Sequence, residues 1–325
     1  MRFVVTGGLG FIGSCLVQRL LELSHTVCIL DRRNVEVAIA KNPLIKSWIS
    51  SFLDNSSSNK LINADIEGLD LSFLAEYDVI VHLAANPGVQ LSVTNPLQDL
   101  KANLLNTITI LESIRSLPKP KRPSLVFSSS AAPLAGNTTF PLHENLPLKP
   151  LSPYGASKSS CESYICAYNN CFNLNCTVLR FSNVYGPGSL AKSSVVSNMI
   201  KGALLNNSIS INGSGLQTRD FIYIDDLVES IIHASLNPYL QSPVHLSTGV
   251  QTTILDVAEQ IKSSLSQYIA NPPSINFSPA LTADAVVNYS SPTLLQQLKF
   301  PLFRPFSSDL ISRTVKYFID HLPLV

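Results

Sequence analysis

Tyr154-Gly-Ala-Ser-Lys158 places a phenol and an ammonium four residues apart. On a helix, positions i and i+4 share a face, so both side chains can serve one site. A phenol ionises near pH ~10 and is a weak base at neutrality. A neighbouring ammonium favours the phenolate, so Lys158 is expected to draw the Tyr154 pKa down. Such a phenol can take the proton of a sugar or alcohol hydroxyl while a hydride leaves the adjacent carbon. By itself this spacing describes many pairs of helix-surface neighbours, and the chemistry depends on what the rest of the chain places beside it.

The first such element is a glycine turn. Gly7, Gly10 and Gly13 follow the apolar run Arg2–Thr6 and open an amphipathic stretch through Leu23. The spacing is GxxGxxG, and the physical demands are a tight turn, close approach of backbone to a pyrophosphate, and a helix start whose amides bind anions. Asp31 stands 18 residues after Gly13, at the end of a second apolar run, Val27–Leu30. A carboxylate there accepts from the adenine-ribose hydroxyls and repels a 2′-phosphate, which favours NAD. Arg32 and Arg33 beside it leave NADP open.

Val79–Leu83, Leu125–Ser128 and Thr177–Phe181 are further continuous apolar runs, suited to strands buried on both faces. Helical stretches over Pro96–Ser116 and Tyr154–Asn170 separate them. This alternation predicts an α/β fold, a Rossmann-type doubly wound parallel sheet. Residues 1–180 form the expected NAD-binding domain, with a return near 220–250. Beyond 181, Gly186-Pro-Gly188 and Pro272-Pro273 break the pattern, leaving short helices at Ser194–Leu205 and Ile254–Ile269. Residues 181–325 are expected to form a smaller, partly interwoven substrate-binding lobe over the carboxyl ends of the strands.

The 325 residues suffice for one large two-lobed unit; 45% are hydrophobic and 14% charged, which suits an enzyme with a sizeable interior. The net charge of +1, without a long basic or acidic run, points away from nucleic acid and anionic membranes. No run approaches the ~20 apolar residues of a bilayer span, and no signal-peptide pattern opens the chain, so a cytoplasmic location is expected. The cysteines (15, 28, 161, 166, 171, 176) lack metal-ligand spacing and read as free thiols, with no metal expected. Asn55-Ser-Ser-Ser-Asn59 reads as a surface loop.

In order along the chain stand Thr6-Gly-Gly-Leu-Gly-Phe-Ile-Gly13, His82-Leu-Ala-Ala85, Ser128-Ser-Ser130, Tyr154-xxx-Lys158, Leu179-Arg-Phe-Ser-Asn-Val-Tyr-Gly-Pro187 and Gln217-Thr-Arg-Asp-Phe-Ile-Tyr-Ile-Asp-Asp226. Together they resemble the extended short-chain dehydrogenase/reductase family, in its NAD-dependent nucleotide-sugar epimerase/dehydratase branch, and best its UDP-glucose 4-epimerase-like group. The resemblance implies that Tyr154 is the catalytic acid/base, that Lys158 holds the nicotinamide ribose, and that Ser130 hydrogen-bonds the reacting hydroxyl. It implies further NAD contacts from Phe11, Ile12, Arg32, Asp65, Ile66, Leu83, Ala84, Ala85, Asn103, Ser128 and Phe181. On the substrate side it implies Asn183, Val195, Asn212, Arg219, Asp284 and Asn288, with Arg219 pairing a diphosphate. Relatives also build a homodimer from two helices per subunit, here roughly Leu97–Ser116 and Tyr154–Asn170.

Within the branch, dehydratases follow the hydroxyl-binding residue with Asp-Glu, and decarboxylases usually keep a glutamate at the second of these positions. Here Ser130 is followed by Ala131-Ala132, which cannot transfer protons. The remaining chemistry is C4 epimerisation through a transient 4-keto sugar, the substrate being a UDP-hexose or UDP-N-acetylhexosamine. Three departures bear on the substrate. Pro133-Leu134-Ala135 replaces the usual Val-Tyr-Gly, Asn212 stands where relatives stack an aromatic on uracil, and Leu281-Thr-Ala-Asp284 lacks a second diphosphate-clamping arginine. Asn288, at the position limiting room for an N-acetyl group, leans slightly towards admitting one. Two other readings stay open: an NAD(P)-dependent 4-keto-sugar reductase using the same Tyr and Lys, and a non-catalytic NAD-sensing protein.

Overall fold

In the computed structural model, described over residues 1–54, 58–237, 243–280 and 285–322, seven parallel strands form one sheet. They are β1 (Arg2–Thr6), β2 (Thr26–Asp31), β3 (Lys60–Asn63), β4 (Val79–His82), β5 (Ser124–Ser130), β6 (Cys176–Phe181) and β7 (Val244–Leu246). Their spatial order is β3-β2-β1-β4-β5-β6-β7. The order reverses direction at β1, and such a switch point opens a crevice at the carboxyl ends of the strands.

Side chains alternate across the sheet, and each face has its own core. Phe3, Val5, Val27, Ile29, Val79 and Val81 face one layer, against helices α1 (Phe11–Glu22) and α5 (Ile224–Leu236). Val4, Cys28, Leu30, Ile80, Leu125 and Phe127 face the other, against α2 (Asn106–Ser116) and α3 (Pro153–Phe172). Burying a Val, Leu, Ile or Phe contributes about 1.5–3 kcal/mol, so these two layers hold the strand ends in place.

The expected helix over Pro96–Ser116 divides into Pro96–Leu100, a π-helical turn at Lys101–Leu105, and α2. Strand β3 went unanticipated by pattern, while β7 lies within the stretch near 220–250 where a return was expected. The chain leaves the sheet after Phe181 and returns for β7, which pairs with β6. Between and beyond lie smaller pieces: Asn183–Tyr185 beside Phe221–Tyr223, Ser208–Asn212 beside Ser274–Ser278, and Thr218–Arg219 between Thr252–Thr253 and Val287–Asn288. Helices α4 (Val195–Asn206), α6 (Ile254–Leu265) and α7 (Ser308–His321) pack among them. All six cysteines are free thiols. No helix among the described residues is long and apolar enough to cross a membrane. Within the expected Asn55–Asn59 loop, 55–57 lie outside the described residues.

Candidate active site

The glycine turn fits a dinucleotide by its sterics. Gly7 has φ +68°, and a Cβ there would lie 2.9 Å from the Ala84 amide nitrogen. A Cβ on Gly13 would lie 2.2 Å from the Gly7 carbonyl oxygen, inside any permitted contact. The turn is thus pressed against Leu83-Ala84 on one side and against its own helix on the other. Gly10 starts α1 without a side-chain cap among the described residues, leaving Phe11, Ile12 and Gly13 to open the helix with their amides. Thr6 ties the two loops together: its Oγ1 accepts from the Ala84 amide at 3.1 Å and meets His82 Nδ1 at 2.7 Å. His82 is buried, and burial pushes it down to about 3, so the ring is neutral.

Asp31 ends β2 and is buried, with both oxygens engaged. Oδ2 accepts from the Leu9 amide at 3.0 Å and from Arg33 Nη2 at 2.8 Å, while Oδ1 accepts from the Arg33 amide and Nε. Arg33 therefore spends its charge on Asp31 instead of standing ready for a 2′-phosphate. Arg32 lies 3.9 Å from Asp65 in an exposed pair. Ile66 is buried in the core, its amide bonded to the Asp65 carboxylate. Sequence reasoning had named Arg32 but not Arg33 among the contacts.

Tyr154 and Lys158 are placed by the first turn of α3. Ser152 caps the helix, accepting from the Gly155 amide at 3.1 Å, and Pro153 occupies the first turn. A Cβ on Gly155 would lie 2.9 Å from the Ala132 carbonyl oxygen, so helix and post-Ser130 loop touch closely. Ser130 ends β5 opposite Phe181 on β6. Its hydroxyl accepts from the Ala132 amide at 3.2 Å and faces the Tyr154 phenol closely enough to favour its ionised form. It thus caps a turn and meets the phenol at once.

The expected depression of the Tyr154 pKa is corrected here. Burial pushes the phenol up to about 12, opposed by the Ser130 hydroxyl and assisted by the Asp99 carboxylate. Lys158 is not among the groups acting on it, because the lysine is turned to the strand. Its Nζ donates to the Ser128 carbonyl at 2.7 Å and lies 4.6 Å from the Phe127 ring centroid. Burial lowers Lys158 in turn, while Cys161, Asp99 and Glu162 favour its charged form.

A buried carboxylate that sequence reasoning missed organises this corner. Asp99 accepts from Ser157 Oγ at 2.6 Å and from Asn103 Nδ2 at 2.9 Å. Asn103, in the π-helical turn, also accepts from the Asn86 amide at 2.8 Å. Ser157 sits between the Tyr and Lys, so Asp99 connects their helix to the Asn103 turn. Burial raises Asp99, and its charge acts on both Tyr154 and Lys158. The available signal was an acid four residues before the candidate Asn103.

Behind β5, Ser129 Oγ donates to Glu162, which receives a bidentate Arg180 guanidinium at 2.7 and 3.0 Å. Both partners are almost wholly buried, at 3% and 5% exposure. Beyond the sheet, Arg219 pairs in register with Asn288, and Asn183 reaches the same stretch by donating from Nδ2 to the Asp220 carbonyl at 3.1 Å. Val195 begins α4. Asn212 is exposed, and its carbonyl accepts from Gln217 Nε2 at 2.6 Å. Asp284 lies outside the described residues, as does Leu281.

Residues 3–246 match the model of the NAD dependent epimerase/dehydratase family. The chain is 31% identical over 290 residues to the UDP-glucose 4-epimerase of Mycolicibacterium smegmatis, covering 87% of this chain and 88% of that one. Among solved structures it resembles the UDP-N-acetylglucosamine 4-epimerase of Methanobrevibacter ruminantium M1 in complex with UDP-N-acetylmuramic acid, at TM-score 0.84 and 27% identity over 99% of both chains. It also resembles the UDP-glucuronic acid 4-epimerase of Bacillus cereus in complex with UDP-glucuronic acid and NAD, at TM-score 0.82 and 27% identity over 98% of this chain and 99% of that one.

Proposed function

Because the chain belongs to the NAD dependent epimerase/dehydratase family, we propose that it catalyses C4 epimerisation of a nucleotide sugar, a UDP-hexose or UDP-N-acetylhexosamine. The observation that carries this reading is the junction of Ser130 and Tyr154 at the sheet's carboxyl edge, with Lys158 one helical turn away and alanines where an elimination needs acids. Bound NAD supplies a reversible hydride acceptor at the sugar's C4. The chain's part is to hold and move a proton at O4. Ser130 orients the C4 hydroxyl, and Tyr154 takes its proton as the carbon is oxidised and returns one when the other face is reduced. A phenol whose pKa burial raises to about 12 fits the second half, and the first half would have Lys158 turn from the Ser128 carbonyl towards the phenol and the ribose. Asn183, Val195, Asn212, Arg219 and Asn288 are the proposed contacts to the nucleotide and sugar, and Asp284 is proposed from the family resemblance alone. On the cofactor side, Gly7, Gly10, Gly13 and the Leu83–Ala85 loop are proposed to hold the pyrophosphate, and Asp31 the adenine ribose.

The proposed assembly is a homodimer through α3 and the helical stretch from Leu97 through α2 to Ser116. Supporting this, Leu97 is 76% exposed and Leu100, Leu105, Tyr164 and Phe172 are also exposed. A cytoplasmic place accords with six free thiols, and surface-polysaccharide or galactose metabolism is the proposed setting. The decisive experiment incubates the protein with UDP-glucose, UDP-N-acetylglucosamine and their uronic acids. Interconversion of C4 epimers without net NADH formation is expected, and stoichiometric use of NAD(P)H would instead establish a reductase. Tyr154→Phe should abolish turnover while sparing NAD binding; retained turnover removes Tyr154 from its role.

A further inference from the structure

We propose that Lys192 is an anion-binding residue that clamps a diphosphate between the glycine turn and the strand carrying Asn183; the inference rests on the nucleotide-sugar reading above. After Tyr185 the chain folds back on itself through Gly186 and Gly188, at φ +142° and +89°. Ser189 Oγ donates to the Gly186 carbonyl at 2.7 Å, and the Lys192 amide donates to Ser189 at 2.9 Å, closing a tight loop. This loop is packed on the glycine-turn side of the molecule, since a Cβ on Gly188 would lie 2.9 Å from Leu44 and 3.4 Å from the Phe11 ring.

The loop returns the Lys192 ammonium to two features of the candidate site. Nζ donates to the Val184 carbonyl at 2.9 Å, next to Asn183, and lies 5.4 Å from the Phe11 ring centroid at the start of α1. Asn183 is a proposed contact to the nucleotide and sugar, and Phe11 stands between Gly10 and Gly13 of the turn proposed to hold the cofactor pyrophosphate. An ammonium carries three donors, and one carbonyl uses one of them. Burial pushes Lys192 down to about 8, and no carboxylate among the described residues holds it up. A cation kept there against desolvation gains most from an anion brought by a ligand. Sequence comparison within the family left the chain short of one diphosphate-clamping arginine, at Leu281, and Lys192 supplies a cation by another route.

The test titrates NAD and, separately, UDP into the wild-type protein, Lys192→Met and Lys192→Arg by calorimetry, with thermal unfolding of each. Loss of a charge-assisted hydrogen bond predicts a roughly 10- to 100-fold weakening in Lys192→Met, recovered in Lys192→Arg. Loss in the NAD arm assigns the ammonium to the cofactor's diphosphate, and loss in the UDP arm to the substrate's. Unchanged affinity for both ligands overturns the assignment, as does a loss that arginine fails to restore together with a lowered melting temperature, which marks Lys192 as a tie for its loop. Wild-type protein that binds neither ligand overturns the nucleotide-sugar reading and this inference with it.

Discussion

Glu162→Gln is predicted to cost about 3–5 kcal/mol of stability, the usual consequence of removing one partner from a buried ion pair. Glu162 Oε1 accepts from Arg180 Nε and from Ser129 Oγ, and Oε2 accepts from Nη2. A glutamine retains a single acceptor oxygen, so its amino group must face either the guanidinium or the serine. The Arg180 charge then remains 3% exposed with no carboxylate on it, received at most by the amide oxygen and by the Glu144 carbonyl at 3.2 Å. At about 2.1 cal/mol/K per residue of unfolding entropy, 1 kcal/mol moves the melting temperature of a chain this long by roughly 1.5 °C. The expected drop is therefore about 4–7 °C, read by calorimetry or circular dichroism. Replacing both partners with methionine should recover most of it, because no unpaired charge is left behind. Turnover should fall in Glu162→Gln even well below melting, since Glu162 is one turn beyond Lys158 on α3. A loss below 1 kcal/mol, typical of exposed pairs, would refute the reasoning.

Two further outcomes follow, one from a buried side chain and one from an exposed one. His245 is buried, neither ring nitrogen makes a hydrogen bond of good geometry among the described residues, and burial pushes it down to about 3. A histidine with a depressed folded pKa binds fewer protons than in the unfolded chain, so its contribution is full above ~6.5 and lost as pH falls towards 3. His245→Leu should flatten the acid side of the stability curve and raise neutral stability by roughly 1–3 kcal/mol; denaturant titrations between pH 4 and 8 would contradict this if the slope stayed unchanged. Leu97→Glu should convert the proposed dimer to monomer in light scattering, and a wild-type protein that is already monomeric would end the dimer proposal.

The parallel sheet was legible in the sequence, as were the spacings of the residues proposed for the site, but its short edge strands were not. The glycine turn, Ser130, Tyr154 and Lys158 are recognised by residue type at fixed offsets, and those offsets survive folding unchanged. Strand β3 was missed because Lys60-Leu-Ile-Asn63 lies at the sheet edge with exposed ends and lacks an apolar run. Strand β7 is three residues long with a histidine at its centre, too short for any periodicity. The π-helical turn at Lys101–Leu105 has no propensity signature of its own, yet it helps set where Asn103 meets Asp99. The lowered pKa expected for Tyr154 failed for a related reason. Spacing puts two side chains on one face, but it does not say which neighbour each prefers, and the Ser128 carbonyl held the lysine.

The run Ser128-Ser129-Ser130 is chemically uniform, yet its members cannot be permuted. Ser129 serves the face where Arg180 meets Glu162, while Ser130 sits level with Phe181 at the other face of the sheet. A strand has only two faces, so shifting this run by one residue exchanges those duties: a hydroxyl would leave Glu162, and another would leave the phenol. A surface loop can absorb an added residue by bulging into solvent. Strand β5 is instead a ruler of fixed length, where variation can arrive by substitution but not by insertion.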